Sequence, residues 1–109
     1  MIAKTPEPPY WAVIFSSLTS QDNQGYPAMA EAMERLAAEQ PGWLGFESAR
    51  DPGLGIVVSY WRDLESIAAW KANLSHAAAQ ATGRERWYDA YSVRIARVER
   101  SYDFARVEA

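Results

Sequence analysis

The run GIVVSYWRDLESIAAWKANLSH, residues 55–76, decides how the chain is read. Residues Gly55 to Trp61 are rich in β-branched and aromatic side chains, the composition of a strand. Asp63 follows as a plausible N-cap, because its carboxylate can accept a free N–H of a helix starting at Leu64. That helix is read as running toward Gln80, either unbroken or interrupted near Ser75, with Gly83 as its stop.

The flanking sequence completes the pattern. Residues 1–9 hold three prolines and form an extended arm, leaving residues 10–109 as a single domain. Tyr10 to Leu18 is nearly continuously apolar and reads as a strand covered on both faces. Ser20 to Gly25 is a polar loop. Between Tyr26 and Gln40, Met29, Met33, Leu36 and Ala37 recur at helical spacing, and Pro41 and Gly42 end that helix. Trp43 to Arg50 is a strand joined to Gly55–Trp61 through the turn residues Asp51, Pro52 and Gly53. A fourth strand is expected from Trp87 to about Tyr102.

Strand, helix, strand, strand, helix, strand is the split βαβ order, so the fold class is ferredoxin-like α+β with an antiparallel sheet. Helices cover one face of such a sheet. The other face carries too many apolar and aromatic residues to stay in water, and two copies packing sheet to sheet would cover it. A symmetric homodimer is therefore expected.

Composition narrows the function. The 109 residues carry a net charge of −3, which argues against nucleic acid, since binding phosphates needs a clustered positive surface. The chain has no cysteine and one histidine, excluding disulfides, thiolate metal sites and sites built on several histidines. No run is apolar enough to span a bilayer, and no basic start precedes an apolar stretch, so a cytoplasmic location is expected. Aromatic residues make up 13%, more than packing a domain this small requires, which points to an interface or an apolar pocket.

The scarce chemistry gathers in WKANLSH, residues 70–76. On a straight helix each residue advances about 100°, which clusters Leu64, Ile67, Leu74, Ala78 and Ala81. Trp70 flanks that side, Asn73 falls roughly 115° from its centre, and His76 lies nearly opposite. An unbroken helix sends His76 to solvent, whereas a break capped by Ser75 re-aims it toward a pocket as a base or a heme ligand. Tyr60 and Trp61 alternate across their strand, as do Trp87 and Tyr88. Arg94, Arg97 and Arg100 are three apart and form no basic stripe.

The order of elements, the SYWRD end of the third strand, the Trp70–His76 helix and the GRERWY entry to VRIARVER resemble the antibiotic biosynthesis monooxygenase family. The resemblance covers roughly residues 10–102. It implies a dimeric α+β barrel with a pocket between each sheet and its helices. It also implies a small aromatic or polycyclic substrate whose own carbanion reacts with oxygen, with no cofactor. On that basis Asn73 and Trp70 are expected catalytic residues, joined by His76 where the helix breaks, and Tyr60, Trp61 and Arg94 are the expected substrate-binding ones. Heme-degrading relatives carry an Asn on the first strand, where this chain has Ser16 and Ser17. Heme binding or degradation and a non-enzymatic dimeric binding or stress-response role stay as alternatives.

Overall fold

A computed structural model describes residues 1–21, 25–75 and 87–106. The elements follow the expected order: β1 (Tyr10–Thr19), α1 (Tyr26–Ala38), β2 (Trp43–Arg50), β3 (Leu54–Trp61), α2 (Leu64–Ser75) and β4 (Tyr88–Val98). The four strands form one antiparallel sheet in the order β2-β3-β1-β4. The two strands that begin and end the chain's regular structure are thus neighbours, as the split βαβ arrangement requires.

Local chemistry sets the boundaries. Gly25 takes the left-handed conformation at φ 87° and precedes Tyr26 and Pro27, which open α1. At the other end Glu39 N–H donates to Leu36 O and Gln40 N–H to Ala37 O. These tighter bonds end α1 at Ala38, two residues before the expected limit. Gly42, at φ 85°, turns the chain into β2, and a Cβ there would collide with the Ser66 side chain. In the β2–β3 hairpin, Asp51 Oδ1 accepts from Gly53 N–H at 2.8 Å and Leu54 N–H at 2.7 Å. Asp63 caps α2 as expected, its Oδ1 accepting from Ser66 N–H at 2.7 Å.

The fourth strand is shorter than its composition suggests. It ends at Val98, which pairs with Tyr10, the first residue of β1. The residues before Tyr10 are Pro8 and Pro9, which have no N–H to extend the ladder. Trp87 lies just outside β4 and is buried, with its carbonyl accepting from Ser20 N–H at 2.7 Å.

Register divides the sheet into two faces. Trp61 stacks on Trp70 of α2, so Trp61 and its cross-strand partner Trp11 lie on the helix face. Val13, Phe15, Ser17, Ser59, Val57 and Gly55 share it. Tyr10, Ala12, Ile14, Tyr60, Val58 and Ile56 occupy the opposite face. The N-terminal arm crosses that opposite face, where Ala3 N–H donates to Glu47 Oε2 at 2.9 Å. Trp61 is completely buried, and Tyr10, Ala12, Ala37, Ile67 and Trp87 complete the buried core. Leu64, expected on the buried side of α2, is 48% exposed at the helix start.

Candidate functional site

The residues singled out in the sequence separate into distinct places. Trp61 and Trp70 meet, with ring centroids 6.1 Å apart and planes 26° from parallel. Trp61 Nε1 donates to Ser59 Oγ at 2.9 Å, so its one polar group is satisfied inside. With no exposed surface, Trp61 holds Trp70 in place rather than presenting a ring to a ligand. Asn73 is exposed and its Nδ2 donates to Gln40 Oε1 at 3.3 Å, tying α2 to the end of α1. Gln40 also lines a cleft of about 280 Å³ with Pro41, Arg62, Asp63, Ser66 and Ala69. His76, the continuation of α2 to Gln80 and the stop at Gly83 lie outside the described residues.

Tyr60 and Arg94 sit on the sheet face away from α2. Arg94 pairs with Ile14 in register and is exposed. The Tyr60 hydroxyl donates to Glu47 Oε1 at 2.7 Å, and its ring meets the Tyr10 edge at 5.8 Å. Burial and then the Glu47 carboxylate push the Tyr60 phenol up to about 12. The same bond, and after it the Ala3 N–H, hold the Glu47 carboxyl below its ordinary value. These groups line a cleft of about 260 Å³ with Ile2, Thr5 and Asp103.

A second aromatic group stands on the helix face at the Gly55 end of β3. Gly55 and Trp61 are six positions apart, roughly 20 Å along a strand. Phe15 lies 5.6 Å from Tyr88 and 5.5 Å from Tyr91, and Tyr26 lies 5.5 Å from Tyr88. Into this ring basin comes Arg50. Its Nη2 donates to the buried Ser17 Oγ at 2.5 Å and to the Tyr26 hydroxyl at 3.3 Å. The guanidinium carbon sits 5.3 Å from the centroid of the Tyr26 ring, a cation–π contact. The Tyr88 hydroxyl also donates to Tyr26, at 3.3 Å. Burial first, and then the bond to Tyr26, push the Tyr88 phenol well above its ordinary range.

Sequence reasoning passed over Arg50 and Tyr26. The available signal was Gly55, directly opposite Arg50 across the hairpin. Gly55 is buried, and a Cβ there would collide with the Arg50 guanidinium. Glycine at that position leaves a bed for the arginine side chain.

Among the described residues, no three of His, Cys, Asp and Glu come together as a metal-ligand set, and no helix is long and apolar enough to cross a membrane.

The geometry has close counterparts. A Bacillus subtilis protein of uncharacterised role, YqjZ, is 52% identical over 100 residues, covering 91% of this chain and 88% of its own. A jasmonate monooxygenase from Pyricularia oryzae is 29% identical over 105 residues; the match covers 90% of this chain but 49% of that enzyme. A Pseudomonas aeruginosa structure superposes with a TM-score of 0.67 at 16% identity, covering 89% of this chain and 99% of that one. SnoaB, a cofactor-independent oxygenase from Streptomyces nogalater, superposes with a TM-score of 0.67 at 10% identity, covering 91% and 100%. The model of the family named antibiotic biosynthesis monooxygenase matches residues 13–82, from the first strand through α2 and beyond. With that match over more than half of its length, the chain belongs to the antibiotic biosynthesis monooxygenase family.

Proposed function

We propose that the chain is a cofactor-independent monooxygenase that acts, as a homodimer, on a small aromatic or polycyclic molecule. The observation that carries this reading is the aromatic cluster of Phe15, Tyr26, Tyr88 and Tyr91, with the Arg50 guanidinium set on the Tyr26 ring. Flat rings stack well on such a surface, and a few fixed polar groups orient what stacks there. Family membership and the fold shared with SnoaB support the oxygenase class.

The chemistry balances without an added reductant. A methylene activated by flanking rings loses a proton, and the carbanion passes electrons to dioxygen. Carbon–oxygen bond formation and loss of the second proton turn the methylene into a carbonyl. The other oxygen atom leaves as water. A protein accelerates this by stabilising the substrate anion and excluding water from it. Arg50 supplies a fixed positive charge, and the Tyr88 phenol stays protonated as a donor. Trp70 stacks on Trp61 at the other end of the helix face, roughly 20 Å along β3 from Gly55 and Arg50, so it is a substrate held at that end that would have His76 to take the first proton, Asn73 to position the carbonyl or oxygen, and Trp70 as a flat wall. Trp61 acts through Trp70. A substrate on the helix face lies away from Tyr60 and Arg94, whose contribution would come from the opposite face.

The dimer follows from that opposite face. Leu18, Leu54 and Ile56 are neighbours in register there and are 44%, 43% and 40% exposed. Sheet-to-sheet packing of two copies would bury them. Sedimentation at micromolar concentration is expected to return twice the chain mass; a monomer overturns the dimer.

Oxygen uptake tests the activity. With an anthrone as substrate, the protein is expected to consume one dioxygen per quinone formed, with no nicotinamide, flavin or added metal. Rates equal to autoxidation across a panel of anthrones and naphthols overturn the reading.

A further inference from the structure

We infer that Arg50, Tyr26 and Ser17 form an oxyanion anchor, so that the molecule bound in the ring basin carries a carboxylate or aryl oxide at one end. The inference deepens the proposed function and rests on it for the location of the substrate.

Among the described residues, Arg35 pairs with Glu31, Arg62 with Asp63 and Arg97 with Glu99. Like Arg94, Arg100 and Arg106, Arg50 has no ion pair among the described residues, but it alone of these rests on an aromatic ring. The adjacent Asp51 has a carboxylate oxygen turned into the hairpin, where it accepts from Gly53 and Leu54. A guanidinium offers five N–H donors, and the contacts of Arg50 within the described residues involve Nη2 alone. Among the described residues Nε and Nη1 have no acceptor, and because each shares its edge with the occupied Nη2, a ligand oxyanion would take single charge-assisted bonds from Arg50 rather than a two-point fork.

The side chain is also held in place, which reduces the entropy lost when it binds. Ser17, only 2% exposed, fixes Nη2 from below. Gly55 leaves the space the guanidinium fills, and the Tyr26 ring lies beneath the cation. Tyr26 adds a donor of its own. Its oxygen accepts from Arg50 and from Tyr88, which uses both lone pairs. Among the described residues nothing accepts the remaining Tyr26 hydrogen, which stands beside the positive charge. A cation, a hydroxyl donor and aromatic walls together fit an aromatic oxyanion.

Binding of naphthoate, nitrophenolate and the neutral naphthamide, followed by quenching of intrinsic fluorescence, tests the anchor. Naphthoate or nitrophenolate is expected to bind about tenfold or more tightly than naphthamide, weakening with added salt. The arm that binds more tightly says whether the anchor takes a carboxylate or an aryl oxide. Arg50→Gln is expected to remove that preference, and Arg35→Gln, which removes the same charge from the outer face of α1, to keep it. Gly55→Ala keeps the arginine but displaces its guanidinium, and is expected to reproduce Arg50→Gln. Thermal unfolding of each variant identifies any that fails to fold. Equal binding of anions and amide, no anion binding at all, or a preference that survives in folded Arg50→Gln and Gly55→Ala overturns the anchor. Oxidation of a neutral anthrone that continues undiminished in Arg50→Gln would overturn the anchor and leave the oxygenase reading standing.

Discussion

Trp61 of β3 and Trp70 of α2 stack across the strand–helix junction, 6.1 Å between centroids, with Trp61 wholly enclosed. The pair fastens α2 to the sheet through one large apolar contact. Trp61→Ala would leave a cavity that the surrounding sheet cannot close, at a cost of about 3–5 kcal/mol. Trp70→Ala would cost less, since Trp70 is only half-buried. A double-mutant cycle by urea unfolding is expected to show coupling of about 0.5–1.5 kcal/mol between the rings. Additive losses would mean that the stack contributes nothing of its own.

The Tyr60–Glu47 bond predicts a pH signature. Tyr60 titrates higher in the folded protein, near 12 against an ordinary 10.0. A raised pKa contributes stability that is fully present below the unfolded value and is lost as pH rises toward the folded one. Unfolding midpoints are therefore expected to fall between about pH 10 and pH 12, in step with the Tyr60 pKa. Glu47 shifts the other way, so its share is present above its ordinary value and is lost on acidification. Tyr60→Phe is expected to remove the Tyr60 part of the alkaline loss and to bring the Glu47 carboxyl closer to its ordinary value. An alkaline profile unchanged in Tyr60→Phe would disprove the assignment.

Asp63 carries the corresponding acid signature. Its bonds to Ser66, and then to Arg62, hold the carboxyl at about 2 against an ordinary 3.8. A lowered pKa contributes stability present above the unfolded value and lost as pH falls through the folded one. Helix α2 is expected to loosen between about pH 4 and pH 2, seen as loss of helical circular dichroism. Asp63→Asn keeps a capping oxygen without the titration and is expected to flatten that loss, while Asp63→Ala lowers the unfolding temperature at neutral pH.

These features differ in how legible they were. The Asp63 cap and the Asp51 turn depend on residues adjacent in the chain, so their chemistry could be read locally. Element order followed from periodicity in the same way. The length of β4 did not, because it is set by Pro8 and Pro9 on the opposite side of the ladder. The Arg50 basin was hidden for a related reason. It joins Ser17, Tyr26, Arg50 and Tyr88 from four elements, and only the hairpin register sets Gly55 against Arg50. Conversely, alternation put Tyr60 and Trp61 on opposite faces, and the structure adds that Trp61 is the one beneath α2.

Asn73 presents the sharpest choice between a tie and a reacting group. Its amide reaches Gln40, a residue lining the cleft beside Asp63, at 3.3 Å on an exposed surface. An exposed hydrogen bond of that length contributes at most about 1 kcal/mol. Asn73→Ala and Gln40→Ala are therefore expected to change stability little and by similar amounts. Activity separates the roles. If Asn73 positions a carbonyl or oxygen during oxygenation, Asn73→Ala lowers kcat by about a hundredfold while Gln40→Ala leaves it nearly unchanged. If Asn73 only ties α2 to α1, both substitutions have the same small effect on kcat, and the double variant is no worse than either alone. His76→Ala assayed in parallel tests the proposed base: unchanged kcat in both Asn73→Ala and His76→Ala would remove the two residues from the mechanism.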